Sequence, residues 1–216
     1  MSLFEFWEQL DKSENYIHPD DQLVLNELNE SHDVDFNFDF PPGHYFGPLK
    51  TAKIVLCYAN PGIDTPSLSA IKDADNRKLL LKQLSGEEHY PYKIPGWFEW
   101  FSKVANSLFL GDIELASSTI AVAVANLLPY ASVNMDKSEV IANCLPSAWA
   151  MQNHLRENLI PRAKHGEILL IMCRSSHLWG LRTSLNAENI IINNTRTGFT
   201  KKTKSKVSHF IEKIKN

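Results

Sequence analysis

The chain has 216 residues, 44% of them hydrophobic, and a formal net charge of -3. This length and composition suit one globular domain with a full core. No run approaches the ~20 apolar residues that a membrane span needs, and the acidic N-terminus lacks the basic segment of a signal peptide. Three widely spaced cysteines without a CxxC pair argue against a zinc or iron–sulfur site. The sequence therefore predicts a cytoplasmic monomer with no membrane partner, metal or cofactor.

The charges are separated between the two ends of the chain. Residues 1–40 hold eleven acidic residues against one lysine, whereas residues 194–216 hold seven basic residues against one glutamate. One end is thus near -10 and the other near +6. A basic end of this kind can bind a polyanion such as DNA, but it can equally be a solvated tail.

The elements of the N-terminal half follow from the spacing of apolar residues and from Pro and Gly breaks. The stretch DFNFDFPPGHYFGP, with three prolines and two glycines, predicts an extended arm instead of a helix. The predicted elements on either side of this arm are helices at 3–10 and 20–30, a strand at 53–59, a helix and polar loop within 66–84, and a helix at 94–109.

The C-terminal half alternates strands and helices. Apolar runs predict strands at 119–126, 167–173 and 189–193. Between and after them we expect a helix that Pro146 or Ser147 opens and Pro161 ends, a short helix at 176–185, and a last helix at 203–214. This alternation predicts an α/β domain with a central, mainly parallel four-stranded sheet and helices on both faces. Residues 1–216 form this single domain, with 1–40 as an acidic helical extension packed on it.

Ligands of such folds bind beyond the carboxyl ends of the strands. Asn60, in the stretch ANPG, follows the first strand, and Asn126 ends the second. Asn60 either caps a turn or holds a water or ligand there. Asn126 either satisfies local backbone groups or reads the edge of a base with its donor and acceptor.

The motifs resemble those of the uracil-DNA glycosylase-like superfamily. YANPGI at 58–63 is similar to the G-I-N-P-G motif, whose asparagine positions the hydrolytic water. VAVAN at 122–126 resembles the strand whose final asparagine reads the base. IIINNTRTGFTKK at 190–202 has the place of the third motif but lacks its histidine, proline and serine. The resemblance implies a three-layer α/β sandwich and a divergent glycosylase that acts on a base flipped out of DNA.

This resemblance gives each candidate residue a role. Asn60 orients the water, with Asp64 as a second catalytic candidate. The base would be held by Asn126, Tyr92, Tyr58 and Asn194, where Tyr92 is favoured over Tyr90 as the stacking ring. The DNA phosphates would be held by Arg196, Lys201 and Lys202. Two alternatives stay open: a hydrolase or transferase acting on a small nucleotide, and a catalytically silent module that binds nucleic acid or protein.

Overall fold

A central mixed sheet organises the protein. The computed structural model describes residues 1–11, 15–31, 35–133, 138–195 and 197–215. Five strands lie in the order β1-β3-β2-β4-β5, and the neighbouring pairs among β2 to β5 are all parallel. The strands are β1 (Tyr45–Phe46), β2 (Ile54–Tyr58), β3 (Val122–Asn126), β4 (Leu169–Met172) and β5 (Ile190–Ile192). The four predicted strands therefore lie side by side in one sheet, as expected from their apolar runs.

The fifth strand, β1, comes from the segment predicted as an extended arm. It pairs antiparallel with β3, with Tyr45 opposite Ala125, and makes the sheet mixed. Gly47 ends this strand with φ +90°, and a Cβ there would lie 2.5 Å from the carbonyl oxygen of Val122. Only glycine allows so close an approach to β3 at a positive φ. The Pro and Gly residues that argue against a helix therefore do not prevent a two-residue edge strand.

Helices cover both faces of the sheet. Before β3 they are α1 (Leu3–Glu8), α2 (Pro19–Ser31), α3 (Thr65–Ala70), α4 (Ala74–Lys82) and α5 (Trp97–Leu108). After β3 they are α6 (Ser138–Ala142), α7 (Pro146–His154), α8 (Ile160–Lys164) and α9 (Lys201–Lys215). Among the described residues no helix is long and apolar enough to cross a membrane.

Two helix predictions are wrong. The helix that begins at Pro146 does not end at Pro161, because a π turn, Leu155–Leu159, joins α7 to α8 and α8 continues past the proline. Proline lacks the N–H of an ordinary helical turn, and the wider turn accommodates that loss. Residues 176–185 form successive turns in place of a helix, and Gly180 there has φ +67°.

The N-terminal extension is fastened to the core by a buried polar cluster. The carboxylate of Asp21 accepts hydrogen bonds from the Tyr130 hydroxyl (2.7 Å) and from the backbone N–H of Ser147 (2.9 Å). The Tyr130 hydroxyl in turn accepts from the backbone N–H of His18 (3.1 Å). Burial raises the pKa of Asp21, although these donors act in the opposite sense. The acidic extension is thus an integral part of the fold and not a loose tail.

A second buried contact joins α1 to the arm. The Trp7 Nε1–H donates to Nδ1 of His44 (2.8 Å), so the ring proton of His44 sits on Nε2, which faces the carbonyl oxygen of Leu127 at 3.2 Å. Burial lowers the pKa of His44 to about 3, so this histidine is neutral. It connects the N-terminal helix with the residue that follows Asn126.

Candidate functional site

A cavity lies at the carboxyl ends of β2 and β3. Its volume is about 220 Å³. The register of these strands pairs Tyr58 with Asn126, which places the turn after β2 beside the end of β3. One wall is aromatic and consists of Phe46, Tyr58, Tyr90, Trp97 and Trp100. The polar side chains that line the cavity are those of Asn60, Asp64, Ser67 and Asn126. Asn60 and Asn126 therefore converge on one cavity, as their strand-end positions predict.

Within the described part of the chain, the Asn60 side chain makes one hydrogen bond. Its Nδ2 donates to Oγ of Ser132 (2.8 Å), and the backbone N–H of Ser132 donates to the carbonyl oxygen of Pro61 (3.2 Å). Among the described residues no donor contacts Oδ1 of Asn60. The residue itself is half-buried. A Cβ placed on Gly62 would meet no atom within 4 Å, so the space in front of this turn is open. The amide oxygen of Asn60 can therefore accept from a water or a ligand.

Asn126 is held more rigidly and is only 2% exposed. Its Nδ2 donates to the carbonyl oxygen of Gly43, and its backbone N–H donates to the carbonyl oxygen of His44 (2.8 Å). Within the described part of the chain its Oδ1 receives no hydrogen bond. A buried amide with one donor fixed by backbone keeps one acceptor and one further N–H for a ligand.

Asp64 has a structural role at the edge of the cavity. It is the N-cap of α3, where its carboxylate accepts from the backbone N–H of Ser67 (2.8 Å). Asp64 is exposed and lines the cavity. A carboxylate in a capping box satisfies a helix N–H group and still has free lone pairs. Asp64 can therefore contribute negative charge at the cavity mouth while it caps the helix.

The aromatic wall is built by β1, β2, α5 and the segment before α5. The Tyr58 and Trp100 rings meet edge to face with centroids 5.4 Å apart, and Tyr90 stacks on Phe101 at 4.3 Å. Trp97 meets Phe46 at 5.8 Å, also edge to face. Burial raises the pKa values of both the Tyr58 and the Tyr90 hydroxyl well above the usual range. Both hydroxyls are therefore neutral at any physiological pH.

The stacking ring chosen from the sequence is not in the cavity. Tyr90 lines it, whereas Tyr92, two residues later, does not and packs half-buried against the hydrophobic core. Trp97 and Trp100 were missed, because apolar spacing in WFEWFSKVANSLF predicts only a buried helix face. Two tryptophans within four residues at the start of a helix were the available signal.

The last strand-end turn lies away from the cavity. Asn194 does not line it, and its Oδ1 accepts instead from the Ser176 hydroxyl at 3.4 Å. β5 is two strands from β2, and strands are spaced at ~4.8 Å, so this turn is roughly 10 Å away. Asn194, expected to hold the base with Asn126, therefore does not line the cavity. Arg196, expected to bind phosphate, lies outside the described residues.

The two lysines expected to bind phosphate lie in the first turn of α9. Lys201 and Lys202 are exposed. Asn193 and Thr200 fix the start of this helix: the Thr200 hydroxyl accepts from the backbone N–H of Thr203 (3.0 Å). Because α9 follows β5, its N-terminus lies at the carboxyl edge of the sheet, the same edge as the cavity. Both lysines can therefore contact a polyanion that lies along this edge.

The arrangement suits a planar polar ligand. A cavity of roughly 150 Å³ holds one benzene ring, so 220 Å³ has room for one heterocycle with its substituents. Aromatic faces can stack on such a ring, and the two amides can contact its edge and a water beside it. Comparisons of the chain with models of protein families, with curated proteins and with solved structures find no match.

Proposed function

We propose that the protein is a DNA base glycosylase-like enzyme with the fold of the uracil-DNA glycosylase-like superfamily. It hydrolyses the N-glycosidic bond of a damaged or modified base that is flipped into the strand-end cavity. The observation that carries this proposal is the convergence of Asn60 and Asn126 on one aromatic-walled cavity, each with an amide oxygen that no described residue contacts.

Each step of the reaction has a candidate group. Trp97 or Trp100 stacks on the base, and Asn126 contacts its polar edge. Oδ1 of Asn60 accepts a hydrogen bond from a water and directs its oxygen at C1′ of the sugar. The bond breaks toward an oxocarbenium-like state, which fixed dipoles around the site stabilise. Lys201 and Lys202 are available to the phosphates.

The experiment is a release assay on a panel of oligonucleotides that carry different modified bases, read as abasic-site formation. Asn60→Ala should lower the release rate by roughly a hundredfold, because a positioning group acts in the transition state. DNA affinity should stay nearly unchanged. The free energy of unfolding of the Asn60→Ala variant should fall by only about 1 kcal/mol, the net contribution of one hydrogen bond.

Ser132→Ala is the matched control, because it removes the same hydrogen bond but leaves Oδ1 of Asn60 in place. It should retain much more activity than Asn60→Ala. Equal release rates for wild type and Asn60→Ala would mean that the asparagine merely caps the turn. DNA binding without release of any base would favour the silent module, and release from free nucleosides alone would favour the small-nucleotide hydrolase.

A further inference from the structure

The groups that line the cavity favour a cationic ligand over an anionic one. Among the described residues that line it, five are aromatic, one is a carboxylate, and none is lysine, arginine or histidine. The faces of aromatic rings are negative and attract cations, most strongly when the site is desolvated. The free acceptors at its polar side, Oδ1 of Asn60 and Oδ1 of Asn126, also favour a donor or a cation.

The two helices that begin at the cavity have their positive ends compensated by acids. Asp64 caps α3, and the Glu99 carboxylate accepts from the backbone N–H of Gly96 at the start of α5. Gly96 itself lines the cavity. Helix N-termini would otherwise attract an anion. With both ends capped by carboxylates, the cavity offers little to an anionic ligand.

We propose that the cavity selects a positively charged, N-alkylated base over neutral bases; this inference rests on the proposed glycosylase function and names its substrate class. Such a base carries its charge in a planar ring, so it can stack on Trp97 or Trp100 and be attracted by the ring face at the same time. The Asp64 carboxylate at the mouth adds a further attraction.

The leaving-group chemistry agrees with this choice. When the C1′–N bond of a cationic base breaks, its electron pair moves to the base nitrogen and cancels the charge, so the base leaves as a neutral molecule. The water oxygen bonds to C1′, and its proton passes to solvent. No acid has to protonate the base, and no cation has to stabilise an anion. A neutral base such as uracil leaves as an anion, and among the described residues around the cavity no cationic side chain is present to stabilise one.

Binding is measured by calorimetry with 1-methyladenosine, which is a cation at neutral pH, and with neutral adenosine. The methylated nucleoside should bind roughly tenfold more tightly. Trp100→Leu should remove most of this preference. Trp149→Leu is the control, because Trp149 is 52% exposed on α7 and does not line the cavity. Asp64→Asn should reduce the preference a few-fold without unfolding α3, since asparagine is an equally good N-cap.

Two outcomes of the binding experiment overturn the inference. Equal affinity for adenosine and 1-methyladenosine would show that the charge is not recognised. Tetramethylammonium binding as tightly as 1-methyladenosine would mean that the aromatic wall holds an ammonium group, as on a methylated peptide, and not a base. Either result stands whether or not the protein cleaves DNA.

Release is measured on DNA methylated with dimethyl sulfate and on the same sequence with uracil or hypoxanthine. Methylated purines should be released at least a hundredfold faster. Comparable or faster release of uracil overturns the inference about charge but leaves the glycosylase proposal intact. Release of no base from any substrate contradicts the glycosylase proposal, and the binding experiment then decides the charge preference alone.

Discussion

Two strand-end asparagines differ in how firmly the fold holds them. Asn60 is partly exposed and has one side-chain hydrogen bond, to Ser132, whereas Asn126 is 2% exposed and bonds the arm through Gly43 and His44. Loss of Asn126 leaves the buried carbonyl oxygen of Gly43 without its donor, which costs about 1–3 kcal/mol. Under the proposed function, Asn60 would have a catalytic role alone, whereas Asn126 would combine base recognition with a contribution to stability.

Asn126→Ala should lower the free energy of unfolding by about 1–3 kcal/mol and weaken the discrimination between bases in the release assay. The control is Asn193→Ala: Asn193 is also buried at a strand end, where it bonds Thr200 and Thr203, but it does not line the cavity. Because the Asn193 side chain also donates to Thr195 and Gly198, that variant should lose at least as much stability, and it should keep its base preference. Urea denaturation and competition between substrates measure the two effects, and unchanged discrimination in Asn126→Ala would contradict a base-reading role.

The sequence identifies the polar side of the cavity better than the aromatic side. Asn60 and Asn126 follow apolar runs, and the position after a parallel strand predicts a shared edge. The aromatic rings have no such rule: Tyr90 and Tyr92 flank one proline in a loop, and only the path of that loop decides which ring faces the cavity. Trp97 and Trp100 satisfy the spacing of a core helix equally well.

At the scale of elements, α9 carries positive charge at both of its ends. Lys201 and Lys202 lie in its first turn, at the carboxyl edge of the sheet, and Lys213 and Lys215 lie in its last turn. Twelve residues at 1.5 Å per residue separate the two pairs by about 18 Å. Only the first pair is on the edge where the cavity opens.

Lys201→Ala combined with Lys202→Ala should weaken DNA binding at all sequences and flatten the dependence of log K on log[salt] by roughly one unit per lost phosphate contact. Lys213→Ala combined with Lys215→Ala removes the same charge from the far end and should change the slope much less. Fluorescence anisotropy at several salt concentrations measures both. If the two double variants have the same salt dependence, the helix acts only through its net charge. If the wild-type protein does not bind DNA at low salt, that result favours the alternative of a catalytically silent module that binds protein.

The elements that were mispredicted share a physical cause. β1 is two residues long and exists only because Gly47 lets the chain approach β3. The helix through Pro161 continues because a π turn precedes the proline. In both cases tertiary contact or a local bulge overrides the tendency of Pro and Gly to break structure, and neither leaves a periodic pattern in the sequence.

At the scale of the whole molecule, the buried His44 and the half-buried His154 make stability depend on pH. Burial lowers the pKa of His44 to about 3 and that of His154 to about 4. The unfolded chain therefore binds more protons than the folded protein below about pH 6.5, and stability falls as the pH drops from there toward 4. Asp21 acts in the opposite sense. Because its pKa is raised in the folded protein, the folded state binds a proton at Asp21 at a higher pH than the unfolded chain does, and this adds stability as the pH falls.

Each histidine should contribute up to about 1.4 kcal/mol per pH unit to this loss. His154→Leu should therefore flatten the decline by roughly 1 kcal/mol per pH unit. It should not destabilise the protein at pH 7, because Nε2 of His154 is buried and has no hydrogen-bond partner among the described residues. His209→Gln, at an exposed position on α9, should leave the curve unchanged. Urea denaturation between pH 4 and pH 8 measures this, and parallel curves for wild type and His154→Leu would contradict it.

The buried cluster around Asp21 has a consequence for synthesis on the ribosome. The residues that bond across it are 109 to 126 positions apart in the chain. At 5–20 residues per second, Tyr130 and Ser147 leave the ribosome roughly 5–25 s after Asp21. During that interval the apolar face of α1, with Phe6 and Trp7, has no core to cover it. We therefore expect the nascent N-terminal helices to be held by a chaperone until β3 and α7 emerge.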